Sequence, residues 1–211
     1  GGSTGEGPTL HDDELCRMLE IGREFVGPEQ TLVCGVMRMS TRDAVATGLR
    51  AREAGADAIM VTPTAYNVLV PNAEGMFSFY STISREVGLP VIIYNVIPQN
   101  TISPALFHRL LDETEHVMGI KQSVGGIQAL YADIMETAGR GRVYAATDDM
   151  IYSCFDLGAR GPSPPSSPYS PPSAWRCGSA PGTATTSGAW PSSSPSIRSG
   201  SAWAAISSPS A

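Results

Sequence analysis

Lysine is nearly absent from this 211-residue chain: Lys121 stands alone beside thirteen arginines. A guanidinium stays protonated, whereas burial of an ammonium lowers its pKa and exposes a reactive lone pair. Lys121 is therefore a candidate amine nucleophile. Paired metal-ligand spacing is also missing. Cys16, Cys34, Cys154 and Cys177 are scattered, and His11, His108 and His116 do not complete a ligand set, so no metal site is expected. The formal charge of -6 argues against nucleic acid and against an anionic membrane surface as partners. No apolar run has transmembrane length, and no signal peptide is read at Gly1. Scattered cysteines without a disulfide framework then suggest an intracellular, cytoplasmic protein.

Composition breaks near Gly161. All 20 acidic residues lie at or before Asp156, while positions 162–211 hold 10 Pro, 16 Ser and no acid. The chain reads as two unlike parts: residues 1–161 and a Pro/Ser/Ala-rich tail at 162–211.

Before the break, short apolar runs alternate with amphipathic patterns. Strands are predicted at 31–36, 58–62, 91–95, 117–121 and 143–147. Their continuous β-branched and aromatic content suits strands of a parallel sheet covered on both faces. Helices are predicted at about 9–26, 41–54, 73–87, 103–113, 125–138 and 148–157. Ser40 or Thr41, and Ser103 before Pro104, are start signals, and Gly27, Gly55 and Gly88 follow helix ends. Repeated βα units give either an open doubly wound sheet or a (β/α)8 barrel. No G-x-G-x-x-G loop follows a strand, which weakens the dinucleotide-binding choice. Polar residues recur just after the strands: Thr62, Tyr94 with Asn95, Lys121 with Gln122 and Ser123, and Thr147 with Asp148. In a barrel these positions meet at the C-terminal face, where active sites sit.

Four stretches carry a resemblance. Gly2-Ser3-Thr4-Gly5-Glu6 looks like a G-[ST]-T-G-E turn after barrel strand 2. Thr62-Pro63, Tyr66-Asn67 and Glu74-Gly75 look like the loop after strand 4. Tyr94-Asn95-Val96 looks like a Y-N-x-P strand 5, and Gly119-Ile120-Lys121-Gln122-Ser123 like a G-x-K-x-[ST] strand 6. In this order and spacing the chain resembles the dihydrodipicolinate synthase / N-acetylneuraminate lyase family, class I aldolases. The resemblance implies a partial TIM (β/α)8 barrel, about strands 3 to 7, followed by a disordered tail. It implies a lysine Schiff base between Lys121 and pyruvate or a related 2-oxo acid, with no metal and no cofactor. Tyr94 would shuttle protons, Tyr66 would extend that relay, in some relatives across a subunit boundary, and Ser3 and Thr4 would receive the carboxylate. Val117, Ile120, Ile92 and Ile93 would form the apolar wall. Intact members would be homo-oligomers.

One motif departs from the family. Synthases that add aspartate semialdehyde carry an arginine a few residues after the tyrosine; Ile97-Pro98-Gln99-Asn100-Thr101 has none. A bidentate, charge-assisted grip on a second carboxylate is lost. This favours a lyase or aldolase for a neutral or sugar-derived 2-oxo acid over 4-hydroxy-tetrahydrodipicolinate synthase proper.

Both ends depart further. Gly1 falls inside the turn after strand 2, so strands 1 and 2 are expected to be missing, and strand 8 should begin where the tail begins. Pro is CCN and Ser is usually TCN. A one-base shift turns Pro162 to Pro168 into a small-and-apolar run suited to strand 8, and Trp175-Arg176-Cys177 into a helix-compatible one. Residues 162–211 are thus expected to be out-of-frame translation rather than a natural Pro/Ser linker. Lacking barrel closure, the chain itself is expected to turn over little or no substrate, and an inactive fragment is the rival to an enzyme. Gene sequencing tests the frame: the shifted frame should read as a strand and a helix, and stop codons there would refute it. Limited proteolysis should trim the chain back to about Gly161, and a protected tail would contradict the predicted boundary.

Overall fold

The computed structural model describes residues 1–66, 70–146 and 150–160. The predicted tail, together with Asn67, Thr147 and Asp148, lies outside the described residues.

The βα units form as the pattern requires. In order they are α1 (Asp12–Val26), β1 (Val33–Val36), α2 (Thr41–Glu53), β2 (Ala58–Val61), α3 (Ala73–Val87), β3 (Val91–Asn95), α4 (Pro104–Glu113), β4 (Val117–Gln122), α5 (Gly126–Thr137), β5 (Arg142–Ala145) and α6 (Ile151–Asp156). Local chemistry sets the starts. Ser40 accepts from the Asp43 N–H, Asn72 from the Gly75 N–H and Ser103 from the Leu106 N–H, each cap stabilising its helix by about 1 kcal/mol. Gly88 ends α3 in the left-handed region at φ 68°. The first helix begins at Asp12, later than its pattern suggests, because Gly7 and Thr9 donate their N–H groups back to Gly2 O and Glu6 O in a preceding turn.

All four strand pairings are parallel, and the order is β1-β2-β3-β4-β5. A doubly wound sheet reverses direction at a switch point; this sheet never does. Consecutive helices pack on one another from α1 through α6, so they share one face. The architecture is an arc of a (β/α)8 barrel, as expected from the sequence.

Strand alternation divides the sheet. Val36, Ile59, Val61, Val91, Ile93, Ile120 and Val143 pack with Tyr80, Ile83, Phe107, Leu110 and Leu130 of the helices in one core. Gly35, Met60, Ile92, Gly119 and Arg142 follow one another in register on the opposite, inner face. Of the four residues predicted to wall the lysine, Val117, Ile93 and Ile120 belong to the core under the helices, and Ile92 lies on the lysine's side of the sheet.

One buried group breaks the apolar logic. Asp133 on α5 is 1% exposed, and its Oδ2 has no hydrogen-bond partner among the described residues. Burial pushes its carboxyl up to about 7. The folded state therefore holds this proton more tightly than the unfolded chain. Stability from this group is greatest below about pH 4 and falls as pH rises toward 7. Asp133→Asn should stabilise the chain by about 2–4 kcal/mol at pH 8 and by little at pH 4. Thermal melts at the two pH values check this; a pH-independent difference would refute the buried-acid assignment.

Candidate active site

Parallel register places Tyr94 beside Lys121, and Lys121 beside Tyr144. These residues stand one layer above Ile92, Gly119 and Arg142, toward the C-terminal end of the strands, on the inner face. Lys121 is 7% exposed and Tyr94 4% exposed. The Lys121 Nζ lies 4.0 Å from the centroid of the Tyr94 ring. A π face attracts a cation without quenching it as a carboxylate would. Among the described residues no acidic side chain pairs with Lys121.

Gly119 is needed beneath this layer. A Cβ there would stand 2.5 Å from the Arg142 carbonyl oxygen and 3.1 Å from Cε2 of Tyr144. The glycine two residues before the lysine thus lets β5 and the Tyr144 ring approach. Sequence inspection placed residue 144 on a strand but missed its place beside Lys121; strand alternation could have found it.

The N-terminal turn reaches the same place. Ser3 Oγ donates to the Tyr94 hydroxyl at 3.2 Å, across 91 positions of sequence. The turn closes on itself: Glu6 N–H donates to Ser3 O at 3.2 Å, and Gly7 N–H to Gly2 O at 3.0 Å. Glu6 adopts φ 53°, an uncommon conformation for a non-glycine residue that this closure holds in place.

Behind the strands, a buried amide network fixes the following loops. Asn95 Nδ2 donates to Ile102 O at 3.0 Å and to Gln122 Oε1 at 2.9 Å, while Asn95 Oδ1 accepts from the Ile102 N–H at 2.9 Å. Gln122 Nε2 donates to Val124 O at 2.5 Å. The two residues that follow Tyr94 and Lys121 therefore clamp the loops after β3 and β4 to each other. Ser123 donates its N–H to Asn95 O at 3.1 Å, but its buried Oγ has no partner among the described residues.

Not every predicted residue joins the cluster. Ser3, Tyr94 and Lys121 come together. Thr4 is exposed, and Tyr66 is 68% exposed in the loop after β2. Neither hydroxyl makes a hydrogen bond among the described residues. In the segment without arginine, Gln99 is exposed. Asn100 is already committed: its Nδ2 donates to Thr64 O at 3.0 Å, lies 3.1 Å from Thr64 Oγ1 and 3.4 Å from Met76 Sδ. No helix among the described residues is long and apolar enough to cross a membrane.

Known proteins resemble this chain in sequence and fold. The chain is 33% identical over 157 residues to the 4-hydroxy-tetrahydrodipicolinate synthase of Bartonella bacilliformis, covering 74% of this chain and 52% of that protein. With the synthase of Bacillus subtilis it shares 32% identity over 163 residues, 76% of this chain and 55% of that protein. Among solved structures, the chloride-inhibited dihydrodipicolinate synthase of Acinetobacter baumannii, complexed with pyruvate, superposes with a TM-score of 0.71 at 30% identity, covering 76% of this chain and 55% of that one. The chain thus spans about half the length of the curated relatives it matches. The model of the dihydrodipicolinate synthetase family matches residues 1–174, most of the sequence and all of the described sheet, and the chain belongs to that family.

Proposed function

We propose that Lys121 forms a Schiff base with pyruvate or a related 2-oxo acid, and that the intact protein is a carbon–carbon lyase or aldolase. The observation that carries this is a buried lone lysine 4.0 Å from a tyrosine ring whose hydroxyl accepts a bond from Ser3. Membership of the family and the pyruvate complex of the Acinetobacter relative support it.

Each residue has a step. The Lys121 amine adds to the ketone carbon. The former carbonyl oxygen takes up protons and leaves as water, giving an iminium. The iminium draws electrons from the neighbouring C–H or C–C bond, so an enamine forms that can attack an aldehyde, or, in reverse, a carbon–carbon bond breaks. Hydrolysis releases the lysine. Tyr94 passes protons between nitrogen, oxygen and water through its bond to Ser3. Ser3 and Thr4 offer hydroxyl and backbone N–H donors to the carboxylate. Tyr66, exposed after β2, extends the relay at a subunit boundary of a homo-oligomer. The steps call for neither metal nor cofactor, and a cytoplasmic location suits the metabolite substrate.

The second substrate divides two readings. Missing positive charge between Ile97 and Thr101, with Asn100 already bonded, favours a partner without a second carboxylate. The names of the relatives favour aspartate semialdehyde instead. Assaying the intact protein with that aldehyde, beside pyruvate release from neutral 2-oxo acids, separates them.

Borohydride reduction with pyruvate tests the central step. The peptide containing Lys121 should gain the mass of pyruvate less water plus two hydrogens, and Lys121→Ala should gain nothing. An absent adduct, or one spread over other peptides, would refute the proposal and favour an inactive fragment. Tyr94→Phe should still be trapped at Lys121 but about 100-fold more slowly or worse, which a time course of adduct formation measures.

A further inference from the structure

The turn that carries Ser3 and Thr4 hangs on one side chain that the motifs do not contain. Arg38 follows β1 and is 15% exposed. Its Nε donates to Thr47 Oγ1 at 3.1 Å. Nη1 donates to Gly7 O at 3.3 Å and Met37 O at 3.4 Å, and Nη2 to Leu10 O at 3.1 Å and Asp12 Oδ1 at 2.9 Å. Thr47, buried on α2, donates to the same Asp12 oxygen at 2.8 Å. One planar guanidinium thereby ties the segment Gly7 to Leu10 and the first turn of α1 to the end of β1 and to α2.

Gly7 is also the residue whose N–H closes the turn on Gly2. The other end of the turn is fixed by contact. A Cβ on Gly35 or on Gly7 would stand 2.1 Å from the Gly1 carbonyl oxygen, so the backbone of Gly1 is packed between two glycines. Between these anchors Ser3 is delivered to Tyr94.

Asp12 shows that the clasp is ionic at neutral pH. Burial raises its carboxyl, but hydrogen bonds from Arg38 and Thr47 and the charges of Arg38 and Arg50 outweigh this and hold it below its ordinary value. Arg38 is therefore neutralised locally, and its contribution is geometric rather than attraction of an anion. Lysine could not replace it, since a single ammonium has no fork to reach four segments at once.

We infer that Arg38 is a positioning residue for substrate carboxylate recognition: it touches no substrate but fixes the Ser3–Thr4 turn against Tyr94. This role rests on the Schiff-base function proposed above. It makes a specific demand, that losing Arg38 should harm carbonyl compounds bearing a carboxylate more than those without one.

Two measurements on the 211-residue chain test it, using Arg38→Met and the milder Arg38→Lys. Hydrogen exchange should accelerate at Glu6, Gly7 and Thr9 while the amides of β3 and β4 keep their protection, which also shows that the variants fold. Borohydride trapping at Lys121 is then compared for pyruvate and for acetone, which lacks the carboxylate. In Arg38→Met the half-saturating pyruvate concentration should rise about tenfold or more, and trapping with acetone should change less than about twofold. Unaltered exchange at the turn overturns the clasp. Released exchange without a change in pyruvate half-saturation overturns its role, as does an equal loss with both carbonyls. If the unsubstituted chain traps neither carbonyl, the Schiff-base function fails and the carboxylate role with it, while the exchange data still decide whether Arg38 holds the turn.

Discussion

The site depends on the register of two parallel strands. Pairing Tyr94 with Lys121 puts a phenol and an amine on the same inner face, one strand apart. A slip of one residue would exchange them for Ile93 or Ile120, which belong to the core beneath the helices. That core resists such a slip, because it would bring Tyr94 and Lys121 toward apolar side chains and expose isoleucines to the interior of the arc. Packing energy on one face of the sheet thus maintains the Tyr94–Lys121 pair on the other.

Polar groups hold the loops around that register. Asn95 and Gln122 satisfy one another and the backbone of Ile102 and Val124, so no member of the pair is left unbonded. Complete networks of this kind rigidify, whereas a half-satisfied one costs stability. Asp133 is the contrasting case: a buried acid with an orphan oxygen, on the outer layer away from Lys121. Arg38 acts like the amide pair but at longer range, joining the N-terminal turn to β1, α1 and α2 through a single planar group.

Much of this was legible in the sequence, for physical reasons. The strands stood out because parallel strands covered on both faces are continuous apolar runs, and the helix starts because Ser40 and Ser103 are caps. Lys121, Tyr94 and Ser3 were legible as motif residues, and the structure brings these three side chains together. Less legible were features set by tertiary contact. Arg38 looks like any arginine after a strand until Gly7, Leu10, Asp12 and Thr47 fold onto it. Tyr144 gains meaning only from its register with Lys121, and the Asp133 environment only from the packing of α5. Ile93 and Ile120 were assigned to the wrong face because the continuous apolar run hid the alternation.

On the proposed function, the arrangement separates two tasks across the inner face. An amine and a phenol on β4 and β3 suit carbonyl chemistry, while a turn from the start of the chain, clasped by Arg38, suits a carboxylate. A crystal structure of the chain soaked with pyruvate tests both halves of that division directly. Density should run continuously from Lys121 Nζ to the second carbon of pyruvate, with the carboxylate on the donors of Ser3 and Thr4. Pyruvate bound away from Lys121, or joined to it with its carboxylate turned from the Ser3–Thr4 turn, would contradict the assignment.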